Sequence, residues 1–453
     1  LRALRLSLFL VCLAVMIVGV PPAGAERPAN EPFFPHAGNR GYDVTSYEVD
    51  LDYRRSGRIE AKATITARVT ETRKSFSFDF VGPRVTRVQV GGGGGGVPFR
   101  RNHGKLIVLL DQPIEKRGVL WVDVYYSGVP PTITDPDGTK EGWYRTDDGA
   151  LAVGEPQGTA AWIPCNNIPG DKARFDFDIT VPSDLKAISN GGLYGIKRRG
   201  DRTIYSWGEG RRMSPYLAVL DIGRGRLYKS GVDGRRGWTL IDPRLEERSR
   251  PVLAELSEIV RFESGLYGPY PFVGVGSIVD YAPELGYALE TQSRPIYPYV
   301  PDLTTVVHET AHQWFGDSVG LKRWPEIWLN EGFATWTEWY YAERHGRRSA
   351  RAIFNRLYRV PASNTRFWNP PSAHPGSAKN MFGPSVYIRG AMALQALRLK
   401  IGTKPMLRAL RSWATEHRYG SGTIKQFIAA AEKISGRNLD PFFQRWLYQR
   451  GKP

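Results

Sequence analysis

The chemistry in this sequence is concentrated in one short stretch, His308-Glu309-Thr310-Ala311-His312. Two histidines four positions apart leave the same face of a helix one turn apart, where both imidazoles can grip one metal ion. Glu309, beside the first histidine, can reach a metal-bound water as a base. Three fixed letters in five recur by chance, and two surface histidines on an amphipathic helix would give the same pattern. A third ligand separates the two readings. Glu331 follows His312 by 19 positions, inside Trp328-Leu329-Asn330-Glu331-Gly332-Phe333-Ala334, a second helical segment. Two histidines from one helix and a carboxylate from the next leave a fourth position open for water, as in a catalytic rather than a structural zinc site. The other arrangement, a histidine six residues after His312, is excluded because that position is Ser318. His345 has no motif spacing and reads as a surface residue. Ligand imidazoles usually donate their other N–H to a carboxylate or carbonyl, and Asp317 and Glu326, flanking the motif, are candidates.

Elements of two kinds must position these groups. Residues 41 to about 228 read as strands: Tyr47–Tyr53 and Ala63–Thr70 alternate apolar and polar, and further short apolar runs follow. The six-glycine run Gly91 to Gly96 lacks the Lys-Ser/Thr and helix of a phosphate loop and reads as a flexible hairpin loop. From residue 229 the pattern is mixed and mainly helical. Helical spacing runs from Arg244 to Gly268, a strand pair is expected at Gly274–Asp280 and Gly286–Gln292, and helices continue from Asp302. A loop rich in Pro, Asn and Ser interrupts them at about 361–383. The fold class expected is α+β in two domains, an N-terminal β domain (41–228) and a catalytic domain (229–453).

Residues 1–25 stand outside the fold. Arg2 and Arg5 precede an apolar run, Leu6 to Val20, and Ala23-Gly24-Ala25 follows. These are the three parts of a secretory signal peptide, and the run is too short for a membrane span. Cleavage after Ala25 is expected, leaving 26–40 as a linker, no stable membrane span, and a secreted or extracytoplasmic protein. Its removal takes Cys12 with it, so Cys165 has no internal disulfide partner. The composition is that of a folded protein, 41% hydrophobic and 24% charged. Lys and Arg total 62 against 45 Asp and Glu, a formal charge of +17. The basic runs are short and match no nucleic-acid module, so a nucleic-acid partner is not expected. Contact with anionic cell-envelope polymers is the partner the charge leaves open.

Three further stretches accompany the metal motif: Val386-Tyr387-Ile388-Arg389-Gly390-Ala391, Trp162-Ile163-Pro164-Cys165-Asn166-Asn167-Ile168-Pro169-Gly170-Asp171-Lys172-Ala173, and Tyr287-Ala288-Leu289-Glu290-Thr291. With the zinc motif they resemble the zinc aminopeptidases related to aminopeptidase N and leukotriene hydrolase, from about residue 40 to the C-terminus. Arg389 stands where the family has Lys in Tyr-x-Lys-Gly-Ala. Tyr287 and Thr291 replace Gly and Asn of Gly-Ala-Met-Glu-Asn.

The resemblance implies an N-terminal antiparallel β-sandwich or saddle followed by a thermolysin-like domain holding one Zn2+ per chain. Its ligands would be His308, His312 and Glu331. Glu309 would be the base and Tyr387 the oxyanion donor. Glu155 and Glu290 would receive the free amine of a peptide substrate, and the Ala288 and Leu289 backbone would run antiparallel to it. A zinc endopeptidase and a catalytically weak peptide-binding protein are the alternatives. Few residues follow Tyr387, too few for the helical domain that longer relatives place over the cleft, so a more open active site is expected.

Overall fold

The computed structural model describes residues 29–92, 94–232 and 234–453, and the leader-like residues 1–25 lie outside them. The strand-rich half is built on a seven-stranded sheet. Its order is Gly192–Arg199, Arg202–Met213, Ala173–Pro182, Tyr42–Tyr53, Ile59–Val69, Val119–Gly128, Arg84–Val90. Alternation dictates which face is buried: Tyr47, Val49, Leu51 and Tyr53 turn inward while Glu48 and Asp50 face water. A bulge between Val44 and Ser46 re-phases the pattern, so that Val44 and Tyr47 both reach the core. The pairs are antiparallel except one. Tyr42–Tyr53 runs parallel to Ala173–Pro182, which the long intervening chain permits.

A three-stranded and a five-stranded sheet complete this half. Trp162 stacks on Phe177 at 5.9 Å and lies 6.2 Å from Trp143, joining the five-stranded sheet to the seven-stranded one. The glycine run is not a hairpin loop. Arg84–Val90 pairs with Val119–Gly128, whereas Phe99–Asn102 pairs with Lys105–Ile114, so the run carries the chain from one sheet to another.

The second half opens with a small sheet in the order Arg226–Val232, Arg235–Ile241, Ile278–Val279, Ile296–Tyr297. The helical stretch expected from 244 to 268 is two helices, Glu246–Leu253 and Leu256–Tyr267; Pro251 lies near the break and offers no N–H to the ladder. Gly286–Gln292 is not a regular strand either. Only Leu289 pairs, with Ile296, as an isolated bridge. The motif helices follow, Leu303–Ala311 and Trp328–Arg344. Asp302 caps the first by accepting the Thr305 N–H at 2.8 Å. The second is buried nearly all round, the pattern of a helix at the centre of a domain. Among the described residues no helix is long and apolar enough to cross a membrane.

Lys172 ties the two halves together. Its buried ammonium donates to the Asp317 carbonyl at 2.6 Å and the Ser318 carbonyl at 3.1 Å, just past the first motif helix. Burial pushes this lysine down to about 7, with the Asp317 charge opposing.

Candidate active site

His308 sits in the last turn of its helix and His312 at the residue that caps it, so both rings leave on one side, 4.8 Å apart. The second motif helix brings Glu331 to meet them. Its Oε2 is 3.4 Å from Nε2 of His308 and 3.5 Å from Nε2 of His312. Donors each 2.0–2.2 Å from one tetrahedral zinc lie about 3.4 Å apart, so the donor set fits that ion.

The far nitrogens fix the rings. His312 Nδ1 is 3.0 Å from the Phe315 carbonyl, which can only accept, so this nitrogen carries the hydrogen and Nε2 offers its lone pair to a metal. His308 Nδ1 lies 2.6 Å from Glu338 Oε1. Neither flanking carboxylate expected from sequence has this job. Asp317 is buried with both oxygens unpartnered among the described residues, and Glu326 accepts the Ile424 N–H. The signal for Glu338 was its position seven residues after Glu331, two turns along the same helix face.

Electrostatics in the metal-free protein follow from packing these charges together. Burial opposes charge on His312, but the neighbouring Glu331 and Glu290 outweigh it and raise the imidazole to about 9. Burial would raise Glu331, yet the two histidines hold it down at about 2. Glu309 is pushed up to about 7 by burial, against the pull of His308 and His312. These are the responses expected of a site built for a cation.

The histidines and Glu331 open onto a cavity of about 510 Å³, to which both halves contribute. Glu155 enters just after the strand Ala150–Val153, and Glu290 from the segment before the motif helix. One oxygen of each is buried without a partner among the described residues. Burial and then the Glu290 charge raise Glu155; burial raises Glu290 against His312. Such carboxylates gain most from an arriving cation.

Gln313, unremarked in the sequence, fixes this segment. Its side chain donates to the Glu290 carbonyl at 3.1 Å and accepts the Ser293 N–H at 2.7 Å. A side chain thus supplies what a neighbouring strand would have given, which is why the segment can be irregular and buried. Leu289 departs from expectation. Its N–H and carbonyl are both spent on Ile296, at 3.0 and 2.9 Å, and it does not line the cavity. Ala288 does. Tyr287 also lines it, and donates to the Lys140 carbonyl at 2.8 Å, binding this segment to the β half.

Tyr387 lies in the irregular turn Ser385–Arg389 that leads into the helix Gly390–Ile401. Its ring stacks on that of His308 at 6.0 Å. Burial and the nearby Glu331 charge keep the phenol protonated, so it remains a donor. Two glycines allow this approach: a Cβ on Gly332 or Gly390 would come within 2.5 or 2.4 Å of the Trp328 ring. Arg389 acts as an anchor. Its guanidinium donates to the carbonyls of Trp446, Gly451, Arg445 and Gln449 at 2.6–3.2 Å and to that of Trp368.

Two family models match the chain: the peptidase M1 N-terminal domain over residues 44–217 and the peptidase family M1 domain over 299–446. A probable aminopeptidase 2 of Sulfurisphaera tokodaii is 25% identical over 64% of this chain and 40% of its own length. A leucyl aminopeptidase of Saccharolobus solfataricus is 26% identical, again over 64% of this chain and 40% of its own. The chain therefore spans less than half the length of these curated relatives. An M1 zinc metallopeptidase of Deinococcus radiodurans superposes with a TM-score of 0.86 at 26% identity, over 94% of this chain and 98% of that one. A variant of that enzyme, solved with the substrate Tyr-Ser-Ala, superposes with a TM-score of 0.85 at 26% identity, over 94% and 99%.

Proposed function

Because the chain belongs to the M1 peptidase family, we propose that it is a zinc aminopeptidase that removes residues from the free N-terminus of peptides. The observation that carries this reading is the pair Glu155 and Glu290, buried beside the metal ligands with an oxygen each unpartnered among the described residues. An endopeptidase needs no such receptor, and a binding protein needs neither a base nor an oxyanion donor.

Zinc held by His308, His312 and Glu331 would supply Lewis-acid polarisation of the scissile carbonyl and would acidify water toward a pKa of about 7. The remaining roles belong to the chain. Glu155 and Glu290 receive the substrate ammonium and set which bond lies over the metal. Glu309, poised near neutrality by its surroundings, takes the proton of the attacking water and returns it to the leaving amine. Tyr387 donates its O–H to the oxyanion of the tetrahedral intermediate. The Tyr-Ser-Ala complex of the Deinococcus relative supports a short peptide as the substrate class.

Export is part of the proposal. The basic, apolar and small-residue parts of segment 1–25 support it, and a mature chain beginning at Glu26 would bear it out. Retention on anionic cell-envelope polymers would draw on the basic surplus and would be lost at high salt.

Glu309→Gln tests the catalytic assignment. Turnover of an aminoacyl reporter should fall to background while one zinc per chain is retained. Loss of the metal in this variant would mean that Glu309 has been given the wrong role.

A further inference from the structure

We infer that the cleft selects peptides that are cationic beyond their terminal ammonium, favouring basic side chains next to the scissile bond and turning acidic ones away. This rests on the aminopeptidase reading and adds a substrate class to it. Apart from the two histidines, every charged residue lining the cavity is an acid, and no Lys or Arg is among the described residues that line it. Four of these acids already have assignments: Glu331 to the metal, Glu309 to the proton, Glu155 and Glu290 to the ammonium. Glu338 is engaged with Nδ1 of His308, so Asp137 and Asp302 remain. With zinc and the ammonium met by the other acids, the carboxylates of Asp137 and Asp302 are left to meet the rest of the substrate.

Both remaining carboxylates are held in place by neighbouring backbone groups. Asp137, from the β half, accepts the Thr139 N–H at 2.9 Å and its hydroxyl at 2.6 Å. Asp302, from the helical half, accepts the Thr305 N–H at 2.8 Å. Their fixed geometry lowers the entropy cost of meeting a cation. The unpartnered buried oxygens of Glu155 and Glu290, which meet the ammonium, show the same cavity arranged to receive a cation.

The whole chain is positive, at +17, and its distant field would favour anions. At physiological salt that field is screened over about 8 Å, roughly the width of a cavity of this volume, so the lining decides.

The test is calorimetric binding to the zinc-loaded Glu309→Gln protein, which removes turnover from the measurement. The ligands are Ala-Arg-Ala, Ala-Leu-Ala and Ala-Glu-Ala, with Arg-Ala-Ala and Glu-Ala-Ala for the first position. Arginine peptides should bind about tenfold more tightly than leucine ones, and glutamate peptides more weakly still. Adding Asp137→Asn and Asp302→Asn, which keep the backbone hydrogen bonds, should shrink the arginine-to-glutamate ratio at least threefold, in the double or in either single variant that stays folded. Glutamate peptides binding as tightly as arginine ones, or a ratio untouched by these substitutions, would overturn the inference. N-acetyl-Ala-Arg-Ala separates the two claims. Equal binding of acetylated and free peptide overturns the ammonium role alone, and the charge ratio is then read from the acetylated series.

Discussion

Glu338 lies 2.6 Å from Nδ1 of His308, so the helix that carries Glu331 also orients His308. Removing an outer partner of a ligating histidine typically costs tenfold to a hundredfold in metal affinity. Glu338→Ala should weaken zinc binding by about that factor, measured by chelator competition, with the circular dichroism spectrum unchanged. Glu338→Gln, which can still accept the hydrogen bond, should lose less.

Zinc affinity should also depend on pH. In the metal-free protein Glu331 and Glu290 overcome burial and hold His312 up at about 9, so the ring is protonated at neutral pH. Zinc needs the neutral ring, and binding must therefore expel that proton. Apparent affinity should rise roughly tenfold per pH unit per proton from pH 6 to 8 and level off near 9. A plateau already reached at pH 7 would belong to an unperturbed histidine.

Gln313 holds the Glu290 segment through two hydrogen bonds from one side chain. Gln313→Ala should cost about 1–3 kcal/mol of stability by chemical denaturation, since two backbone groups lose their partner. It should raise KM for free-amine peptides more than it lowers kcat, because it displaces Glu290, the proposed ammonium receptor, rather than the residues proposed to hold the metal.

Arg389 reaches five carbonyls, four of them in the C-terminal segment after Phe443. Lysine has three donors on a single nitrogen and cannot span them. Arg389→Lys should lower stability by about 2–4 kcal/mol, read as a fall in Tm. Since the anchor is two residues from Tyr387, kcat should fall too while zinc content holds.

Some of this site was legible in the sequence for a physical reason. His308, His312 and Glu331 sit on helices, where spacing alone determines which side chains share a face. Glu338 obeys the same spacing, but Asp317 and Glu326 lie closer to the histidines in the chain, and position along the chain does not rank the three. The contacts of Gln313 and Leu289 leave no signal in the sequence. Their roles depend on the Glu290 segment folding back to the motif helix and to Ile296, which no local pattern records. Alternation revealed the strands but not the parallel pairing of Tyr42–Tyr53 with Ala173–Pro182, since both arrangements bury the same faces. Glu155 came from likeness to a family, and the structure supplies its physical basis, a buried oxygen facing the same cavity as Glu290.

The central claim is that a free amine is read by Glu155 and Glu290 before the bond is cut. The most direct measurement compares kcat/KM of the zinc-replete protein for an aminoacyl reporter and for the same reporter acetylated on nitrogen. Strong preference for the free amine, reduced in Glu290→Ala, is the predicted result. Equal cleavage of the two reporters would contradict the claim.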